Sequence, residues 1–306
     1  MSVAHPANLP ASVKQKLLNL ARETQVEFNV LLTKFALERF LYRMSISRSR
    51  LHFVLKGAFL FGFWSKELHR TTRDAGFLNL QPPSLERLAS DFREMCEAEA
   101  QPDGFRFLPE SVQAREIRRQ NTFGGIRITF IGMLGKAAVP LQIDVGFGDV
   151  CVPPAKIVRF PVLLEFPAPR LKAYARETMI AEKFHAAVEL GMRNSRMKDY
   201  FDIYYLSQKF DFQGEELSQA LAATFGRQKT SIPRQTPLGL STEFSLDPMK
   251  RIQWTHFLIQ TRAVNLEKDF AEVVESVRKF LMPAAGAAAR RESFNKYWPP
   301  GGPWRP

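Results

Sequence analysis

The chain has 306 residues, and its 43 Lys and Arg against 31 Asp and Glu give a formal net charge of +12. Hydrophobic residues make up 45% of the chain and charged residues only 24%, so the composition excludes a disordered protein and fits one large domain or two smaller ones. No apolar run reaches the roughly 18 residues of a membrane span, and the N-terminus lacks a secretory apolar segment, so we expect a cytoplasmic protein with no membrane partner. The positive charge favours a polyanionic partner such as RNA, DNA or a nucleotide.

The first part of the chain is predicted to be a helical cap that leads into a sheet. Apolar residues recur at helical spacing from Ser12 to Met44, which predicts one amphipathic helix within a cap of residues 1–50. The short apolar segment 53–55 predicts a strand or turn that ends at a glycine, and a helical pattern follows over 58–64. We therefore expect a bend between these two elements.

Three further segments are predicted to be strands. Residues 74–80 are apolar, and the segments 127–131 and 141–145 alternate apolar and polar residues between Gly and Pro. Asp144 therefore lies inside a strand. A helix over 84–100 separates the first of these strands from the other two.

The second half of the chain is predicted to be helical. Several prolines between Pro153 and Pro169 indicate an extended connector, after which helical periodicity dominates. Residues 283–306 are rich in Ala, Gly and Pro and have no periodic apolar face, which predicts a flexible tail that is either mobile or draped on the surface. The predicted segments are the helical cap at 1–50, a sheet-containing core at 51–168, a helical domain at 169–282 and the C-terminal tail at 283–306.

The most informative stretch of the chain begins at Lys56. Lys56, Gly57 and Ala58 place a glycine turn before a helix, and backbone N–H groups at such a turn can bind phosphate. Asp74 heads the next strand, where a carboxylate can hold the magnesium ion that accompanies phosphate, and Asp144 could converge on the same ion. On the residues alone, a helix cap with solvated strand ends is the commoner explanation.

A second group of charged residues lies on two predicted helices. Asp199 and Asp202 are three residues apart, so both carboxylates point to one side of a helix, with Arg196 one turn before them. Lys183 on the preceding helix can reach a triphosphate as a point charge. The spacing also fits a structural salt-bridge network that joins Glu182 with these side chains, and that is the commoner role of such clusters.

In their order along the chain, the two groups resemble the nucleotidyltransferase fold of the polymerase-beta superfamily, and specifically the AbiEii/AbiGii toxin family of abortive-infection systems. Residues 56–58 and 70–74 are similar to that family's lysine-glycine-glycine turn and arginine-threonine-x-aspartate-x-aspartate strand. Residues 180–186 and 196–203 are similar to its glutamate-lysine helix and its arginine-lysine-aspartate-x-x-aspartate helix. The resemblance implies an α+β fold: a mixed-sheet nucleotidyltransferase core with an N-terminal helical cap and a helical C-terminal half.

The resemblance also implies a role for each matched residue. Asp74 and Asp144 would be the metal ligands, and the implied ion is Mg²⁺. The catalytic set would be Asp74, Asp144, Lys183, Asp199 and Asp202. The nucleotide contacts would come from Lys56, Gly57, Ala58, Arg70, Thr72, Lys183 and Arg196.

One position departs from the family pattern. The family places a second acid two residues after Asp74, on the same face of the strand, and this chain has Gly76 there. In the superfamily the paired acids and a third acid hold two magnesium ions that bind the triphosphate and activate the attacking hydroxyl. Gly76 offers no ligand, so we expect severely impaired catalysis, whether the glycine is natural or was introduced to make a toxic enzyme tolerable.

The implied activity is that of the toxin in a type IV toxin–antitoxin or phage-defence pair. Such a toxin transfers a nucleoside monophosphate from an NTP to RNA, in some relatives to the 3′ acceptor end of tRNA, and so blocks translation. The implied partners are the NTP, the RNA acceptor and a cognate antitoxin protein. Two alternatives stay open: a catalytically degenerate nucleotide- or RNA-binding module, and a nucleotidyltransferase that modifies protein. The second stays open because the fold of the core does not determine which acceptor receives the nucleotide.

Overall fold

The computed structural model describes residues 8–65, 75–119, 122–261 and 268–306. The chain forms two compact units, the first from residues 1–148 with 156–173 and the second from residues 149–155 with 174–306. No helix within the described ranges is long and apolar enough to cross a membrane. Both units contain helices and strands, and the fold class is α+β, as predicted.

The first unit contains most of the strands. Its elements are α1 Leu9–Thr24, α2 Phe28–Ile46, β1 Phe53–Lys56, α3 Phe61–Trp64, β2 Ala75–Asn79, α4 Leu85–Glu97, β3 Phe105–Arg119, β4 Thr122–Leu134, β5 Ala137–Phe147, β6 Lys156–Arg159 and β7 Arg170–Ala173. The seven strands form one sheet in the order β3-β4-β5-β2-β1-β7-β6. The β1/β7 and β2/β5 pairs are parallel and the other four pairs are antiparallel, so the sheet is mixed.

One face of this sheet is covered by α2 and α4 through phenylalanine side chains. Phe40 of α2 contacts Phe92 of α4 and Phe130 of β4, with ring centroids 5.4 and 4.4 Å apart. Phe53 of β1 meets the same Phe92 at 5.9 Å. Because side chains alternate along a strand, this packing leaves the neighbouring positions of β4 and β5 on the opposite face. That opposite face carries the candidate site.

The N-terminal helical region differs from the prediction of a single helix from Ser12 to Met44. It consists of two helices, and the first begins after Asn8, whose side chain accepts a hydrogen bond from the Ala11 N–H at 3.2 Å. That helix ends at Gln25, which adopts a left-handed conformation with φ 55°. A left-handed residue after a helix stops propagation, and apolar spacing alone does not detect such a break.

The second unit is mainly helical, as predicted. Its elements are α5 Arg176–Leu190, α6 Met197–Lys209, β8 Phe212–Gln213, α7 Gly214–Arg227, α8 Thr242–Leu246, α9 Pro248–Thr261, α10 Phe270–Arg290 and β9 Tyr297–Trp298. Strands β8 and β9 form a separate antiparallel pair. The predicted helical positions 262–267 lie outside the described residues.

The prediction of a flexible tail over 283–306 is wrong for this unit. Helix α10 continues through Pro283 to Arg290, and the chain after it packs against the helices. The Trp298 indole N–H donates to the Ser207 carbonyl at 2.8 Å, and the Trp304 indole N–H donates to the Phe280 carbonyl at 2.9 Å. The packing of this segment was not predicted from its Ala- and Pro-rich composition, because two tryptophans that are not periodically spaced supply its apolar surface.

Candidate active site

A row of side-chain positions crosses five strands of the sheet. Arg115 of β3 pairs with Arg127 of β4, which pairs with Asp144 of β5. Asp144 then pairs with Gly76 of β2, and Gly76 pairs with Lys56 of β1. Directly paired residues share a face of the sheet. The row therefore places the predicted metal ligand Asp144 beside Gly76, the position that lacks the acid of the family pattern, and Gly76 beside the predicted phosphate contact Lys56.

Gly76 occupies a place in which a side chain would fit. Its backbone has none of the positive φ angles that require glycine, and an added Cβ would meet the Lys56 carbonyl oxygen at 3.3 Å and the Lys56 Cγ at 3.6 Å. The first distance is tight by a few tenths of an ångström, and the second is ordinary contact. A residue with a carboxylate therefore fits beside Asp144 when the Lys56 carbonyl shifts by a few tenths of an ångström.

Both carboxylate oxygens of Asp144 are bound by one arginine. The Arg127 Nε donates to Asp144 Oδ1 at 2.7 Å and the Arg127 Nη2 donates to Oδ2 at 2.8 Å. With its amide oxygen turned to the guanidinium, Gln142 accepts from the same two nitrogens at 3.2 Å. The pair is partly exposed, at 30% for the arginine side chain and 32% for the aspartate. This is the bidentate geometry in which arginine binds carboxylate most strongly.

The glycine turn expected after Lys56 is present. Gly57 has φ 78° and ψ −166°, a conformation that residues with a Cβ rarely adopt, and nothing lies within 4 Å of the place where a Cβ would be. The turn leads into a 3₁₀ turn at Ala58–Leu60 and then the single helical turn of α3. The predicted helix is therefore short, and phosphate binding at this turn would depend on its backbone N–H groups and Lys56.

Arg70, Thr72 and Asp74 lie outside the described residues, directly before strand β2. The predicted convergence of Asp74 and Asp144 on one ion therefore remains a prediction.

The second predicted group comes together within the second unit. The Lys183 ammonium contacts Asp199 Oδ1 at 2.6 Å and Asp202 Oδ2 at 2.8 Å, and Arg196 donates to the other oxygen of Asp199. The side chains of Lys183, Asp199 and Asp202 are 10%, 2% and 0% exposed. Burial alone would raise the pKa of Asp199, but the attraction of Lys183 and Arg196 outweighs burial and lowers that pKa below its usual value.

This geometry matches the salt-bridge network that the sequence left open as the alternative, and Asp202 is a further member of it. The carboxylate of Glu182 accepts a hydrogen bond from the Tyr174 hydroxyl at 2.9 Å. The three charges of Lys183, Asp199 and Asp202 are held together between α5 and α6.

Sequence reasoning did not single out Arg127 as a site residue. The alternating pattern placed it correctly in a strand, but only the register between β4 and β5 shows that it faces Asp144. Register between strands that are not yet paired cannot be read from alternation, because a shift by two residues preserves every face.

The seven-stranded mixed sheet fits the nucleotidyltransferase core that the resemblance implies. The sequence matches the family described as "Nucleotidyl transferase AbiEii toxin, Type IV TA system" over residues 39–276. The match covers most of the chain, and the protein therefore belongs to the AbiEii nucleotidyltransferase toxin family of type IV toxin–antitoxin systems. No protein with a curated description matches the sequence significantly.

Solved structures of similar fold are distant in sequence. MenT4, a nucleotidyltransferase toxin from Mycobacterium tuberculosis H37Rv, is 14% identical with a TM-score of 0.50, and the match covers 91% of this chain and 98% of that one. JHP933 from Helicobacter pylori is 13% identical with a TM-score of 0.48, and the match covers 86% of this chain and 92% of that one. At these identities the likeness to MenT4 supports the fold alone.

The AbiEii family generally uses a divalent metal ion, and the described residues do not fit a two-ion site. Gly76 has no side chain to coordinate an ion, and both oxygens of Asp144 are bound by Arg127. Within the described ranges, no three His, Cys, Asp or Glu side chains gather as a metal-binding group. The two described acid positions of the family pattern are thus both unsuited to a divalent ion.

Proposed function

We propose that this chain is the toxin of a type IV toxin–antitoxin pair that transfers a nucleoside monophosphate from an NTP to RNA in the cytoplasm. The 3′ end of tRNA is the proposed acceptor, and a cognate antitoxin protein is the proposed partner. The observation that carries the proposal is the cross-strand row of Lys56, Gly76 and Asp144 in a member of the AbiEii family. We propose that transfer is slow in this sequence because the position of Gly76 lacks its acid.

The residues of the first unit would act mainly on the triphosphate. Lys56 supplies a positive charge at the end of β1, and the Gly57 and Ala58 backbone N–H groups follow it at the turn. Arg70 and Thr72 are proposed as further nucleotide contacts, and Asp74 as the acid that acts with Asp144. In relatives with a complete acid set, Mg²⁺ would neutralise charge on the triphosphate and activate the attacking hydroxyl.

The residues of the second unit have two competing roles. As nucleotide contacts, Lys183 and Arg196 would bind phosphate, and Asp199 or Asp202 would orient the acceptor. The short contacts and burial of Lys183, Asp199 and Asp202 support the alternative role, in which the network holds α5 against α6. A buried ammonium between two carboxylates is poorly suited to be a mobile phosphate contact, since moving it would leave both carboxylates without that cation.

A basic strand pair supports RNA as the acceptor. Arg159 of β6 and Arg170 of β7 are directly opposite each other and both are exposed. Lys172 lies two residues further along β7, and its pairing with Val54 places it on the sheet face that carries Lys56. Like charges opposite each other destabilise a strand pair, so a polyanion that bridges them would be favoured.

Label transfer tests the proposal. The protein is incubated with Mg²⁺ and each α-labelled NTP, together with total RNA, purified tRNA or a protein extract. We expect label on RNA, at the 3′ end of tRNA. Label on protein would instead support the protein-modifying alternative, and tight nucleotide or RNA binding without any transfer would support the degenerate binder.

The degenerate binder is the second candidate, because a specific observation favours it. Asp144 is bound by an arginine on both oxygens and its neighbour Gly76 has no side chain, so two of the acid positions cannot act as they do in a two-ion enzyme. A core of this kind could still bind a triphosphate at Lys56 and the Gly57 turn.

A further inference from the structure

Arg127 stands where a cation is expected. In the family pattern the strand position of Asp144 faces a divalent ion, whereas here it faces a guanidinium that binds both of its oxygens at 2.7 and 2.8 Å. The arginine is held from a second side by Gln142, two residues before Asp144 on the same face of β5. Arg127 therefore supplies a positive charge directly at Asp144, the carboxylate of the row.

This arrangement opposes the binding of a divalent ion at Asp144 in two ways. An ion at coordination distance would need an oxygen that the guanidinium already occupies in a fork-shaped contact. The ion would also be repelled by the arginine, because a guanidinium group stays positively charged throughout the working pH range. Gly76 offers no second carboxylate that could compensate for either effect.

We infer that Arg127 replaces a divalent ion as the resident cation at Asp144, and that the triphosphate site of this chain works without an ion at that carboxylate. The inference rests on the proposed function for the identity of the bound anion, a nucleoside triphosphate. Arg127 is then a positioning residue that fixes Asp144 and neutralises it. Lys56, on the far side of Gly76, and Arg115, beside Arg127, add two further positive charges to the row.

Titration with Mn²⁺ tests the inference without an activity measurement. Free Mn²⁺ is followed by electron paramagnetic resonance in wild type, Gly76→Asp, Gly76→Asp/Arg127→Gln and the control Arg106→Gln, an exposed arginine near the other end of the same strands. We expect wild type and Arg106→Gln to have no site tighter than about 1 mM, the weak limit of protein divalent sites. The double variant should bind one ion at least about 10-fold more tightly than Gly76→Asp, because a repelling charge has been removed.

Two results would overturn the inference. One is a stoichiometric Mn²⁺ site in wild type that Asp144→Asn abolishes, and this comparison does not need the arginine variants to fold. The other is equal Mn²⁺ affinity in Gly76→Asp and the double variant. Nucleotide titration in EDTA and in Mg²⁺ separates failure of this inference from failure of the proposed function. If wild type binds no NTP under either condition, the proposed function fails. If the NTP affinity of wild type rises more than about 10-fold with Mg²⁺ and this rise is lost in Asp144→Asn, Arg127 is not the resident cation at Asp144.

Discussion

Replacing Lys183 with Met should destabilise the second unit strongly. The change removes a cation that is 10% exposed and contacts two carboxylates at 2.6 and 2.8 Å, and these carboxylates are 2% and 0% exposed. Removal of one partner from a buried ion pair costs about 3–5 kcal/mol, because charge stays buried with less compensation. Arg196 still contacts Asp199, so we expect a loss near the lower limit, about 3 kcal/mol.

Urea unfolding followed by tryptophan fluorescence measures this loss, since three of the four tryptophans, Trp254, Trp298 and Trp304, belong to the second unit. Lys279→Met is the matched control, because Lys279 is 68% exposed and its contact with Glu275 is 3.5 Å long. An exposed pair of this kind contributes less than about 1 kcal/mol. A Lys183→Met protein with wild-type stability and NTP affinity weakened about 10-fold or more would refute the structural role and restore the phosphate role.

Two other predictions concern pH and salt. Burial raises the pKa of Glu38 to about 7 although Arg39 lowers it, so the native state keeps a proton that the unfolded state has lost, and stability falls as pH rises from about 4.5 to 7. Relative to Glu38→Gln, the free energy of unfolding of wild type should fall by about 3 kcal/mol across this pH range in urea titrations. The same pH dependence of unfolding free energy in both proteins would contradict a raised pKa of Glu38. Arg159→Gln/Arg170→Gln should reduce the slope of log K for tRNA against log salt by about 1.5, measured by fluorescence anisotropy. The charge-matched control Arg106→Gln/Lys136→Gln should leave the slope nearly unchanged, and equal effects of the two pairs would remove the basic strand pair as the RNA contact.

The sequence predicted the sheet strands that alternate and the helices that repeat, and missed what depends on partners distant in the chain. Strand β3 was not among the predicted strands, because Pro109 interrupts its first half and its exposed side is charged. The register of β3 with β4 shifts between Leu108 and Gln113, where the strand accommodates this irregularity. Periodicity has no signal for a strand with such a shift.

The candidate site shows the same limit at the level of side chains. The position of Asp144 in a strand and the absence of an acid at Gly76 followed from alternation and from the family pattern. Arg127 did not, because its role depends on a register that only the folded sheet defines. The ion-pair network of Lys183 was one of two interpretations of its spacing, and burial is the quantity that distinguishes them, which spacing does not contain.

Label transfer to tRNA by matched variants tests the central claim, that this chain is a nucleotidyltransferase whose acid row is incomplete. Wild type, Asp144→Asn and Gly76→Asp/Arg127→Gln are incubated with Mg²⁺, tRNA and each α-labelled NTP, and the rate of label incorporation is measured. We predict slow transfer by wild type, transfer no faster than that by Asp144→Asn, and a rate at least about 100-fold above wild type for the double variant, which corresponds to about 2.7 kcal/mol of transition-state stabilisation. A folded double variant that transfers no faster than wild type, or label absent from RNA with every NTP in all three proteins, would contradict the claim.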